Sequence, residues 1–270
     1  MKTIKKNAVV FILLAALVLV IVSPGCKKKD EPAPEIPPAT TMVMDFKDFK
    51  DTSSVTNKST YVNWLHSAVN VGVWNIVLTV TLAIPVASFY ESFNHPAEYH
   101  HQDEYWTWEY SFNSWGTHQA ELTGFIEGDT VNWEMRIDNF LWYYGRSHTN
   151  KSGGYWMLNE SKTQQTALLR IDYQRNSTGV SSIKYKNVAP ASSTHYKNHG
   201  EYIEYGTVAS AEYDRFYDIF LIDDNNTSEN NLTEIEWAFS DKHGHVKDPK
   251  KFGDSEWHCW DTTFADASCQ

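Results

Sequence analysis

Tryptophan is the residue type this chain uses most unusually. Eleven occur in 270 residues. An indole is a large apolar plate with one polar edge, suited to stacking on sugar rings and other flat ligands. Trp106, Trp108, Trp142 and Trp156 fall on or beside segments of alternating pattern. Aromatics in such a pattern ordinarily fill an interior. Trp115 differs, because it stands in the polar turn Asn113-Ser114-Trp115-Gly116. Trp142, Tyr143, Tyr144 and Arg146 crowd a second short stretch. A ligand site at the mouth of a β-structure is therefore expected around Trp115, Trp142, Tyr144 and Arg146.

Other chemistry-bearing residues carry weaker signals. Glu134, Glu234 and Glu236 lie on polar faces of alternating segments. Two of them facing one cleft would make a polysaccharide hydrolase, whose carboxyl groups stand about 5–10 Å apart. The eleven histidines include His243-Gly244-His245 and His100-His101 with His95 nearby. No His-Glu-x-x-His or Cys-x-x-Cys spacing completes a metal set, so surface histidines are expected and no metal is implied. His258-Cys259 imitates a nucleophile pair, but adjacent strand residues point to opposite faces. Nucleophile elbows and phosphate-binding glycine loops are missing, so neither a catalytic residue nor a cofactor is implied.

The elements that must position these residues are mostly strands. Trp106, Trp108, Tyr110 and Phe112 alternate with Thr107, Glu109 and Ser111. Val131, Trp133, Met135 and Ile137 alternate with Asn132, Glu134, Arg136 and Asp138, a half-buried strand. Glu127-Gly128-Asp129 joins that strand to the preceding one as a hairpin. Similar runs continue to Phe239, giving about ten strands over 104–240. No helical segments separate them, so parallel βαβ architecture is excluded and an antiparallel meander is expected. So wide a sheet must curl, close or be covered. The cover is residues 61–93. No Asp, Glu, Lys or Arg lies between His66 and Glu91. Asn70, Asn75, Thr79, Thr81 and Pro85 within that stretch favour a buried helix over a membrane span. Pro85 is expected to end or kink it, with a second short helix over 86–93. The fold class is thus mainly β: a curled, barrel-like sheet with an apolar helical segment packed against it. It resembles the calycin barrels in architecture alone. Gly72-Val73-Trp74 has the spacing of the lipocalin Gly-x-Trp signature, but it falls inside the apolar helical stretch and carries no weight.

The N-terminus reads as an address. Lys2, Lys5 and Lys6 precede the apolar run Ala8–Val22, and Ser23-Pro24-Gly25 leads to Cys26. That order is a secretory signal. A cysteine directly after a small residue at its end resembles the bacterial lipoprotein signal, although Ser23 replaces the commoner Leu, Val or Ile. The resemblance implies cleavage before Cys26, diacylation of Cys26 and a lipid anchor in a Gram-negative outer membrane. Lys29-Asp30-Glu31 is similar to the export tag of surface-displayed lipoproteins, and either face of that membrane stays open. Pro32, Pro34, Pro37 and Pro38 make a semi-rigid tether. The expected layout is a signal peptide over 1–25, an acylated tether over 26–41 and one β-rich domain over 42–270, whose last part, 241–270, is a tail. With Cys26 acylated, Cys259 and Cys269 remain, an even pair in an oxidising compartment, and are expected to form a disulfide stapling that tail.

Composition narrows the function. Net charge is −11, and loss of three lysines with the signal makes the body more acidic still. Such a chain repels phosphate backbones, which excludes general nucleic-acid binding. The favoured expectation is a non-enzymatic envelope lipoprotein, resembling the β-rich lipoproteins of Gram-negative bacteria, with a bilayer partner through Cys26 and a glycan or small apolar ligand. The alternatives are an envelope hydrolase, an assembly subunit docking through exposed aromatics and a membrane β-barrel, which the charged strand faces disfavour.

Overall fold

The computed structural model describes residues 32–44, 46, 60–161, 164–209, 212–223 and 230–269. The signal peptide, Cys26 and the Lys29-Asp30-Glu31 tag lie outside the described residues.

Among the described residues, fourteen strands form one sheet in strict sequence order, and every neighbouring pair is antiparallel. They are β1 Glu98–His100, β2 Tyr105–Asn113, β3 Thr117–Glu127, β4 Thr130–Ile137, β5 Phe140–His148, β6 Gly153–Ser161 and β7 Gln164–Asn176. The second half is β8 Gly179–Asn187, β9 Tyr202–Thr207, β10 Arg215–Leu221, β11 Asn231–Trp237, β12 Gly244–Lys247, β13 His258–Trp260 and β14 Asp266–Ala267. The count exceeds the expected ten. Ten of the strands, β2 to β11, occupy 104–240 as expected. The other four are short, and three of them lie in the segment expected to be a stapled tail. Too few residues alternate in a three-residue strand for a period-2 signal to register.

Tight turns set the register. Asp138 and Asn139 both adopt positive φ, 52° and 65°, between β4 and β5. This is the two-residue turn whose twist matches a hairpin. In consequence the apolar rows line up across strands. Trp108 pairs with Leu122, Leu122 with Met135, Met135 with Tyr143 and Tyr143 with Leu158. Ile171, Tyr185, Ile203 and Ile219 form the matching row farther along. All eight of the residues from Leu122 to Ile219 just named are 2% exposed or less. Small residues make room where large rings cross. A Cβ on Gly145 would come 2.5 Å from Cε3 of Trp156 and 2.3 Å from the Tyr155 carbonyl oxygen.

No pairing joins β1 to β14, so the sheet is not closed into a barrel. Its buried face is covered by two other pieces of chain. The first is α1, Val62–Ser92, a single helix of 31 residues about 46 Å long. It packs on β2 at one end of the meander and on β12, β13 and β14 at the other. The expected break at Pro85 is absent, and 86–93 is no separate helix. Packing holds the helix through the proline. Leu82, Pro85, Ser88 and Phe89 are all buried, Tyr110 Oη donates to the Ser88 carbonyl at 2.6 Å, and Phe89 meets Trp156 at 5.1 Å between ring centres. The start of α1 has no cap from its own N-cap residue. The Asp266 carboxylate, on β14, accepts from the backbone N–H groups of Val62 and Asn63 at 3.2 and 2.9 Å. An acid there also suits the positive end of the helix. The Cys259–Cys269 disulfide, as expected, ties β13 to the chain just after β14.

The second covering piece is residues 33–44 with Phe46. Expected largely as tether, this segment is part of the folded body from Ala33 onward. Thr41 and Met42 are 0% exposed. Tyr185 Oη donates to the Met42 carbonyl at 3.1 Å and accepts from the Met44 N–H at 2.6 Å. Trp156 Nε1 donates to Thr41 Oγ1 at 3.2 Å. Phe46 stacks on Tyr217. The strap thus fills the interior that the aromatic strand residues line. Burial pushes the Tyr185 phenol above its ordinary pKa.

Candidate functional site

Two helix residues on either side of one turn, Val73 and Val77, open a cleft against the strand ends. Its apolar walls are Val73, Trp74, Val77 and Leu78 of α1, Leu168 and Leu169 of β7 and Leu221 of β10. Asn187, His195, Asn198 and Glu201 form a polar rim. The free volume is about 360 Å³, within the range of small-molecule sites. Antiparallel order explains the gathering: the start of β7, the end of β8, the approach to β9 and the end of β10 all lie at one end of the sheet.

The rim is held in place by its own hydrogen bonds. Asn198 Nδ2 donates to Glu201 Oε2 at 2.8 Å, and Glu201 Oε1 accepts from the Ile222 N–H at 3.3 Å. Asn187 Oδ1 accepts from the Ala189 N–H at 2.9 Å. His195 stands 3.8 Å from Glu160 and is 56% exposed. The Asn198–Glu201 pair is thus already engaged, and Thr81 completes the lining. The walls offer apolar contact.

The four residues expected to bind a ligand do not line this cleft. Tyr144 and Arg146 lie on the outer face of β5, alternating with buried Tyr143 and Gly145, while Trp142, the extra residue at the bulge against β4, is half-buried and packs against the core. Arg146 donates to Asn132 Oδ1 at 2.8 Å and pairs with Glu127 at 3.3 Å. Trp115 sits three strands away in the β2–β3 turn, 80% exposed, at φ 54°. A positive φ on so bulky a residue is uncommon. Trp106, Trp108 and Trp156 are core.

The carboxylate candidates are also dispersed. Glu134 on β4 and Glu234 on β11 stand seven strands apart along the sheet. Glu134 pairs with Arg136, Glu234 with Lys247 and Glu236 with His245. Among the described residues, no group of three or more His, Cys, Asp or Glu is placed to hold a metal ion. His243 and His245 flank the Tyr213 ring.

Strand register does assemble one charged row on the outer face: Asp172, Lys184, Glu204, Asp218, Glu234 and Lys247, each opposite the next. Lys184 binds Glu204 at 3.1 Å, and its ammonium lies 3.6 Å over the Tyr202 ring. Asp218, at the centre, has a pKa pushed up to about 6, by partial burial first and then by Glu234 and Glu204. A carboxyl raised in the folded state is a penalty that grows as pH rises from about 4 to about 6. Asp218→Asn is therefore expected to stabilise the protein by about 1 kcal/mol at pH 7.5 after allowance for solvent screening. At pH 4 the substitution has little effect. Urea unfolding at the two pH values checks this.

No protein-family model, curated protein or solved structure matches this chain, so its function is read from its own residues.

Proposed function

We propose that this protein is a non-enzymatic envelope lipoprotein, tied to an outer membrane through Cys26, that holds a small apolar ligand in the cleft between α1 and β7–β10. The observation that carries the ligand half is the cleft itself: seven apolar residues wall it, and on its rim Asn198 and Glu201 are bonded to each other. That chemistry favours an apolar molecule over a glycan, which would need free hydrogen-bonding groups along its length. The anchor half is supported by the order of residues 2–26.

The test is titration with the fluorescent apolar probe N-phenyl-1-naphthylamine. Leu221→Trp adds bulk to the cleft wall at a position that is 36% exposed. It is expected to weaken probe binding by about tenfold or more, the equivalent of about 1.4 kcal/mol. Equal affinity in the wild type and the variant would remove the cleft from the reading.

A further inference from the structure

The outer face of α1 carries a row of apolar side chains from Val62 to Val80, beside the exposed Thr79 and Thr81. Val62, Leu65, Val69, Val73, Ile76 and Val80 recur every three or four residues, and each is between 47% and 67% exposed. They form one stripe about 27 Å long. No charged residue interrupts the helix between His66 and Glu91. Only 28% of its most apolar 18-residue window is buried. Single exposed apolar side chains are ordinary, but a continuous row is the mark of an interface.

The helix is not free to cross a membrane. Its opposite face, with Trp64, Val71, Leu78 and Phe89, is buried. Asn63 donates to the Cys259 carbonyl at 2.8 Å, and His66 meets Asp248 at 2.7 Å. A spanning α1 would draw the charged outer face of the sheet into hydrocarbon. What remains is contact along one side, the geometry of a helix lying in the plane of a bilayer surface.

The chain's own layout says which surface this is. Cys26 precedes Ala33 by seven residues, a reach of at most about 25 Å. Ala33 and Pro34 line the same depression as Ser92 and Phe93, at the C-terminal end of α1. An acyl chain on Cys26 would therefore deliver a bilayer to the end of the same helix. Tyr90 and Phe93 are exposed there, at 53% and 45%, and aromatic rings favour the membrane–water boundary. Once the anchor holds, a second contact is intramolecular, so a modest apolar face is sufficient.

We infer that the outward face of α1 docks on the phospholipid bilayer to which Cys26 ties the protein, with the Val62–Val80 stripe seated at the headgroup–acyl boundary. This inference rests on the lipoprotein reading for its choice of surface. Val73 and Val77 belong to α1's exposed side and to the cleft wall alike, so a ligand leaving the cleft would meet lipid directly.

The experiment uses the full chain, reconstituted in phosphatidylcholine vesicles that carry nitroxide-labelled lipid. Ile76→Cys and, separately, Val69→Cys bear a bimane label; both positions are exposed, so the fold is retained. A control label goes on Thr178→Cys, in the β7–β8 turn. Labels at 76 and 69 are expected to shift to the blue and lose most of their emission to the nitroxide, while the label at 178 does neither. Mass spectrometry of the N-terminal peptide reports acylation separately. Unquenched labels at 76 and 69 on an acylated chain would overturn the docking and leave the anchor standing. A bare N-terminal peptide would overturn the anchor, and the same quenching would still decide the docking. A blue shift without quenching, accompanied by dimers, would assign the stripe to a second copy and overturn the bilayer.

Discussion

Asp248→Ala is expected to cost about 3 kcal/mol or more, because it leaves buried donors facing a void. The Asp248 side chain is 4% exposed. Its carboxylate accepts from four donors: His66 Nε2 at 2.7 Å, Thr233 Oγ1 at 2.8 Å, Asn231 Nδ2 at 2.8 Å and the Lys251 N–H at 3.0 Å. These come from α1, from β11 and from the short helix α2, Pro249–Phe252, which Asp248 caps. One carboxylate therefore fastens the first turns of α1 to the sheet. Burial alone would raise its pKa, but the hydrogen bonds from His66, Thr233, Asn231 and Lys251 outweigh it and hold the carboxyl below its ordinary range. A depressed carboxyl contributes stability that is present above an unfolded value of about 3.9 and lost as pH falls below it. Wild-type stability is thus expected to fall below about pH 4, and Asp248→Asn to flatten that acid limb while costing less than alanine at neutral pH. Urea unfolding at pH 7 and pH 3.5 measures both effects. Hydrogen exchange over 62–70 should quicken in the alanine variant if the attachment of α1 is what was lost.

Trp156→Ala is the second large effect, at about 3–5 kcal/mol. Trp156 is 1% exposed and touches all three layers of the body. It meets Phe89 of α1 and Tyr143 of β5, overlies Gly145, and donates to Thr41 in the strap. Alanine leaves a cavity that strand backbones cannot close, since their spacing is set by ladder hydrogen bonds. Trp156→Phe retains one ring and loses the rest of the indole with its bond to Thr41, so its cost should be smaller than that of alanine. Denaturant unfolding followed by circular dichroism separates the two variants. A loss under about 1 kcal/mol for alanine would mean that the strap and helix do not depend on this ring.

The strands were legible because period-2 alternation is a local property. Val131 to Ile137 shows its buried and polar faces within eight residues, and the fold keeps both. The same alternation predicts one face for Trp142, Tyr144 and Arg146 without saying which side of the sheet it is, and the bulge takes Trp142 out of the row. That choice depends on the bulge opposite β4 and on which face the strap and helix cover. With aromatics on both faces of β5, composition could not break the tie. Glu134 and Glu234 illustrate the same point: each has the right chemistry, and only sheet order shows them seven strands apart.

The strap was hidden for a different reason. Pro32, Pro34, Pro37 and Pro38 read as a spacer, and Ile36, Met42, Met44 and Phe46 have no helical or strand period. Their burial is created by strands more than a hundred residues later, through Trp156, Tyr185 and Tyr217. Likewise Pro85 signals a helix end locally, yet packing on both sides of it outweighs one missing hydrogen bond.

The antiparallel meander, the hairpin turns and the apolar helix each follow from residues close in the chain, and the pairing of Cys259 with Cys269 is expected only with Cys26 set aside. Contacts between distant segments leave the sheet open, lay residues 33–44 and Phe46 over its interior, let Asp266 cap a helix that starts some two hundred residues earlier, and bring Val73, Leu169 and Leu221 to one cleft. Those outcomes depend on which surfaces meet, and burial free energy is decided by the meeting surfaces rather than by either one alone.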